Sequence, residues 1–183
     1  MAYDTPITSL PIESKDDLLV QLTFMYALIL ASEQMLQDAG LDPTLEEEDG
    51  HATWLREDIL RLGGAIPYVD HDAATIAGSQ YYYIRHVHPL MLLGYRAALE
   101  LHPIELTQVD ALEAAYGPLT CMRYHAEHDQ AHGAKIAGCI SAIKEPLLAK
   151  AIEENYRLTV ASISAVLVHR QQQLRQKLHE VTR

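Results

Sequence analysis

The chain has 183 residues, 49% hydrophobic and 21% charged, which suits one globular domain spanning 1–183 and excludes a disordered or fibrous chain. Its net charge of −11 repels phosphates and argues against a nucleic-acid partner. No apolar run reaches the roughly 18 residues of a membrane span. The longest is the eight from Phe24 to Ala31, and no basic, apolar leader opens the chain, so the expectation is a cytoplasmic protein without a membrane segment.

Almost the whole chain reads as helix. Ser14 with Asp17 forms a capping signal, followed by Leu18, Leu22, Met25 and Ile29 at helical spacing, and Gly40 ends that helix. Asp42-Pro43 signals a second helix, with Glu46 and Glu47 in its first turn, running to about Leu62 and stopping at Gly63-Gly64. Asp70 or Asp72 caps a third stretch from Ala73 to about Leu101, which Pro89 interrupts because it lacks a backbone donor. A short helix from Glu105 to Tyr116 ends at Gly117, another runs from Pro118 to about Ile143, and the last from Pro146 to about Lys177. No period-two alternation is long enough for a strand, so the class is all-α, with six or seven helices and antiparallel neighbours. Cys121 and Cys139 make neither a disulfide framework nor a zinc signature and fall on apolar faces as small core residues.

Chemistry concentrates in the stretch from Cys121 to His132. On a helix advancing about 100° per residue, His125, Asp129 and His132 lie within about 60° of one another over ~10 Å, enough to serve two metal ions. Imidazoles mixed with a carboxylate suit iron or manganese, and a polar stripe facing solvent is the competing interpretation. In the second helix, spacing i, i+3 places Glu48 and His51 on one face, the arrangement with which helical bundles hold carboxylate-bridged metal pairs. Glu100 ends an otherwise apolar stretch. Glu33 is level with Glu48 across the turn near Leu41, either as a ligand or in support of one.

Three motifs follow one another. Glu48-x-x-His51 is first, then Tyr81-Tyr82-x-Ile84-x-His86-x-His88-Pro89-x-x-Leu92-Leu93-Gly94-Tyr95 leading to Leu99-Glu100, then His125-x-x-x-Asp129-x-x-His132. From about Thr44 to Gly133 this order resembles the iron-containing redox enzymes known as heme-oxygenase-like di-iron oxidases. Some members place the first carboxylate seven residues before the histidine, where this chain has Thr44. The resemblance implies a heme-oxygenase-like bundle of about seven helices and a labile centre of two Fe(II) ions, with Mn as the other suitable metal and O2 as co-substrate. It implies Glu48, His51, Glu100, His125, Asp129 and His132 as ligands. Glu47 is the fallback for Glu48; His128 shares the stripe but is off the family's pattern, and is a ligand or a support of the ligands. Catalysis would lie with the metal ligands alone. A peroxo-di-iron species would abstract hydrogen from, or transfer oxygen to, a small amino-acid-like or fatty-acid-like substrate. One subgroup consumes its own tyrosine and a lysine between the matching Glu and His helices, and no lysine lies between Glu100 and His125.

His86 and His88 precede Glu100 by fourteen and twelve residues, about 18–21 Å along a straight helix, and are structural or pocket-lining. Tyr81, Arg85, Met91 and Tyr95 are candidates to line a substrate pocket, and Arg85 or Arg123 to pair with a substrate carboxylate. Two alternatives are a metal-independent, thiaminase-like hydrolase using Cys121, and a non-enzymatic helical interaction module. A homodimer is compatible with the long last helix.

Overall fold

The computed structural model describes residues 11–41, 50–102 and 104–181, with the side chains of residues 33, 129, 130 and 181 outside that description. Among the described residues every regular element is helical. These are α1 (Lys15–Ala39), α2 (His51–Arg61), α3 (His71–His86), a 3-10 turn (Pro89–Met91), α4 (Leu92–Glu100), α5 (Leu106–Tyr116), α6 (Thr120–Ser141) and α7 (Pro146–Val181).

Local chemistry sets most boundaries. The Ser14 hydroxyl accepts the Asp17 N–H at 3.0 Å and donates to the Asp17 carboxylate at 2.8 Å, which closes the start of α1. Gly40, at φ +62°, ends it in the left-handed region. The Asp70 carboxylate accepts the Ala73 N–H and starts α3. Pro89 breaks the third stretch into α3 and α4, as its missing donor requires.

The second helix departs from expectation. The helix that carries His51 begins at His51, because Gly50 stands before it at φ +102°. Glu48, expected one turn before His51, lies outside the described residues. The expected start at Asp42-Pro43 lies outside the described residues.

Helix α1 runs through the middle of the bundle. One of its faces, with Phe24, Leu28 and Met35, joins α3, α4 and α7 in a core containing Ile76, Tyr95 and Leu167. Another, with Leu18, Leu22 and Ile29, joins α2, α5 and α6 around Leu55, Ile59, Val109 and Leu119. A helix buried on two sides must be apolar on both. By length and composition α1 is accordingly the one described helix that passes a membrane-span test, and 47% of that window is buried inside the bundle. Each fully buried Leu or Phe here contributes about 1.5–3 kcal/mol.

Helices α4 and α7 pack at backbone distance. A Cβ on Gly94 would come within 2.6 Å of the Ile152 carbonyl oxygen, so only glycine permits the approach. Beside it, Gln80 and Asn155 exchange amide hydrogen bonds at 2.8 and 3.2 Å, and Asn155 also donates to the Met91 carbonyl. Further along α7, Arg170 forks onto Asp70 with two bonds of 2.7 Å, reaches Asp72 at 2.6 Å and stacks on Phe24. Burial pushes the Asp70 carboxyl up. The Arg170 guanidinium and the Ala73 N–H outweigh it, and the net effect is a value below the ordinary one.

Candidate metal centre

Helix α6 carries the His-x-x-x-Asp-x-x-His stripe, and other helices hold its start. The Leu119 N–H donates to the Glu113 carboxylate of α5 at 2.9 Å. The buried Asp58 carboxylate of α2 faces the same helix start, where the Cys121 and Thr120 backbone N–H groups favour its charged form. Anions at a helix N-terminus satisfy orphan donors and complement the dipole. Arg61 completes the clamp, bonding Asp58 at 3.4 Å, the Tyr116 carbonyl at 2.9 Å and the Pro118 carbonyl. Desolvation is the largest influence on Asp58 and raises its carboxyl above the usual range, against the opposing pull of Arg61 and the helix N–H groups. This clamp fixes the register of α2 on α6.

That register brings the opposite end of α2 onto the histidine stripe. His51 is fully buried, with its ring centroid 4.8 Å from that of His125 and 4.8 Å from that of Tyr124. Trp54, one turn along α2, stands 4.9 Å from His51 and 5.4 Å from Tyr124. Tyr124 also lies 6.1 Å from His132, so its ring spans the space between the two ends of the stripe.

Helix α4 supplies the carboxylate. Glu100 is 1% exposed, and its Oε2 lies 3.6 Å from His132 Nδ1. Its Oε1 lies 3.1 Å from Arg96, one turn earlier and equally buried, and Arg96 donates to Ser32 of α1 at 3.2 Å. Gly133 makes the approach of α6 to α4 feasible, because a Cβ there would stand 3.1 Å from the Glu100 carbonyl oxygen.

The structure thus brings four sequence-predicted ligands together from three helices, in two pairs, His51 with His125 and Glu100 with His132. Among the described residues no three His, Cys, Asp or Glu side chains converge as a metal site. Glu47 and Glu48 lie outside the described residues, as do the side chains of Glu33 and Asp129. In kind the described donors fit a pair of ferrous ions, since buried imidazoles and a buried carboxylate are ligands for iron or manganese. His128 is exposed. Its Nδ1 pairs with the Tyr124 carbonyl at 2.8 Å, and its ring stacks on Tyr124 at 4.2 Å, 6.3 Å from His132.

The four candidate pocket residues lie in different surroundings. Tyr95 is fully buried and donates its hydroxyl to the Leu28 carbonyl, and Met91 packs with Leu93 and Ile152. Both are core residues, because the apolar face of α4 is consumed by α1 and α7. Tyr81 packs at the edge of the core, where burial and then the Asp38 charge raise its phenol. Arg85 is on the surface, 3.6 Å from Asp38. An apolar cleft of about 310 Å³ lies elsewhere, between α1, α3 and the 65–70 loop, lined by Tyr26, Leu30, Tyr68 and Ala77. Arg123 is engaged by Asp110 at 2.7 Å and Glu113 at 2.5 Å. His86 and His88 are exposed, and His88 caps the 3-10 turn. Cys121 is 2% exposed within the second core cluster.

Tyr124, Trp54 and Arg96 are the neighbours of the site that the sequence did not single out. Arg96 had a visible signal in its i, i+4 spacing to Glu100, and Trp54 in its i, i+3 spacing to His51. No family model, no curated protein and no solved structure matches the chain.

Proposed function

We propose that this chain is a non-heme di-iron oxidase or oxygenase of the heme-oxygenase-like class, acting on a small amino-acid-like or fatty-acid-like metabolite. The observation that carries this is the convergence of α2 and α4 on one stripe of α6, with His51 against His125 and Glu100 against His132, in the interior of the bundle. Burying His51, Glu100 and His132, with His125 half-buried beside them, costs several kcal/mol unless each is compensated, which is a reason for evolution to keep them only where they bind something.

In this reading His51, His125, Glu100 and His132 hold two metal ions, with Asp129 and either Glu48 or Glu47 completing the set. When bound, the metal pair supplies reduction of O2 and the oxidising power for hydrogen abstraction or oxygen transfer. The protein supplies placement and dryness. Trp54 and Tyr124 cover His51 and keep water from that side of the ligands. The Asp58–Arg61 clamp holds α6 so that its imidazoles stay opposite α2. Gly133 keeps α6 close enough to α4 for His132 to meet Glu100.

The test is anaerobic loading with Fe(II), elemental analysis, and rapid mixing with O2 in the presence of candidate amino acids and fatty acids. About two irons per chain, with consumption of O2 accelerated by one substrate class, is the expected result. No bound iron or manganese would favour the helical interaction module. Metal-free activity abolished by alkylating Cys121 would favour the thiaminase-like alternative.

A further inference from the structure

This inference deepens the proposed function and rests on Glu100 and His132 being metal ligands. Glu100 is the last residue of α4. A carboxylate there sits at the negative end of the helix dipole and, being 1% exposed, out of reach of water. Both circumstances create a demand for nearby positive charge. The chain meets that demand itself. Arg96, 2% exposed, places Nη2 3.1 Å from Glu100 Oε1, and its other terminal nitrogen donates to the Ser32 hydroxyl, which is wholly buried. The second carboxylate oxygen faces His132 Nδ1 at 3.6 Å.

We propose that Arg96 is an internal counter-cation for the metal centre, a positioning residue that stands in for the missing positive charge. It holds Glu100 turned toward His132 before any ion arrives, so the half-site is assembled in the metal-free protein. The same fixed charge then repels an incoming divalent cation and competes with it for Glu100. Arg96 therefore trades affinity for preorganisation and makes the Glu100–His132 position a weak, exchangeable one. Ser32 tunes the effect by fixing the guanidinium against the carboxylate.

The experiment measures Mn(II) binding by equilibrium dialysis, and thermal unfolding with and without Mn(II), for the full chain and for Arg96→Met, Ser32→Ala and Glu100→Gln. In the metal-free state Arg96→Met should melt lower than the natural chain, because Glu100 has lost its counter-charge. It should bind Mn(II) more tightly, on the order of tenfold, and gain more in melting temperature from the metal. Ser32→Ala should shift affinity the same way by a smaller factor. A merely structural arginine would lower the melting temperature equally with and without Mn(II). Unchanged or weaker binding in Arg96→Met, with Glu100→Gln still abolishing a site, overturns the role of Arg96 and leaves the metal centre standing. Mn(II) binding indifferent to Glu100→Gln removes the metal centre, and this inference with it. Should Arg96→Met not fold, Ser32→Ala decides, and an unchanged or weaker affinity there overturns the proposal.

Discussion

Among the described residues, two of the polar clusters inside this bundle are closed in different ways. Between α3, α4 and α7, Gln80 and Asn155 satisfy each other and the Met91 carbonyl, so neutral groups are matched by neutral groups. Between α2, α4 and α6 the groups are ionisable: buried His51 in ring contact with half-buried His125, and a buried glutamate shared between an arginine and a third histidine. A closed amide pair fixes how helices pack and needs nothing from outside. An arrangement of imidazoles and carboxylate has the chemistry of a ligand set, which is why function is assigned to one cluster and architecture to the other.

The comparison can be broken most severely at His125. Replacing it with alanine removes the imidazole that faces His51 and should weaken Fe(II) or Mn(II) binding by about 100-fold or more, read by equilibrium dialysis. Undiminished binding would falsify the assignment of His125 to the centre. On the architectural side, Asn155→Leu strands the buried Gln80 amide and should cost about 1–3 kcal/mol in urea unfolding. Metal affinity of the folded fraction should not move. A change in affinity there would merge the two clusters into one system.

Two glycines sharpen the contrast, because the same substitution should be read by different instruments. In Gly94→Ala the new methyl meets the Ile152 backbone oxygen, and stability should fall by about 1–3 kcal/mol with or without metal. In Gly133→Ala it meets the Glu100 carbonyl, which moves α6 away from α4 and should lower metal affinity by about tenfold. Equal effects of both substitutions on metal binding would argue that the centre senses only global packing.

The smallest expected effect belongs to the Arg170 staple, which touches neither cluster. The Asp70 carboxyl is held below its ordinary value of 3.8, so its contribution is present above that pH and is lost as the pH falls through the depressed value. Arg170→Met should therefore cost about 1 kcal/mol near neutral pH, a modest figure because the guanidinium is partly solvated, and the deficit should vanish in strong acid. A deficit independent of pH, measured by urea unfolding across the acid range, would assign the staple to packing on Phe24 instead.

Helix boundaries were legible where one residue decides them. Ser14, Gly40, Asp70, Pro89, Gly117 and Pro146 act on backbone groups within a turn, and each marks an end of a helix or the flank of one. The second helix, expected from Asp42-Pro43 to about Leu62, passes over Gly50, whose φ of +102° residue type alone does not declare. The α6 stripe was legible because angular spacing along a helix is fixed by its backbone. The surroundings of the candidate pocket residues were not: Tyr81, Met91 and Tyr95 look alike as apolar faces, and only packing shows Tyr95 and Met91 wholly inside the core and Tyr81 at its edge.

Sequence alone determined the all-α class and the helical phase of His125 and His132, since capping and period are local properties of the chain. The tertiary structure decided which helix each of them meets. His51 reaches His125 because Arg61 ties the far end of α2 to the Tyr116 and Pro118 carbonyls just before α6. Glu100 reaches His132 because Gly133 lets two backbones come close, and Arg96 lies across that contact. Such pairings depend on the crossing and register of helices distant in sequence, which close packing sets and periodicity does not encode.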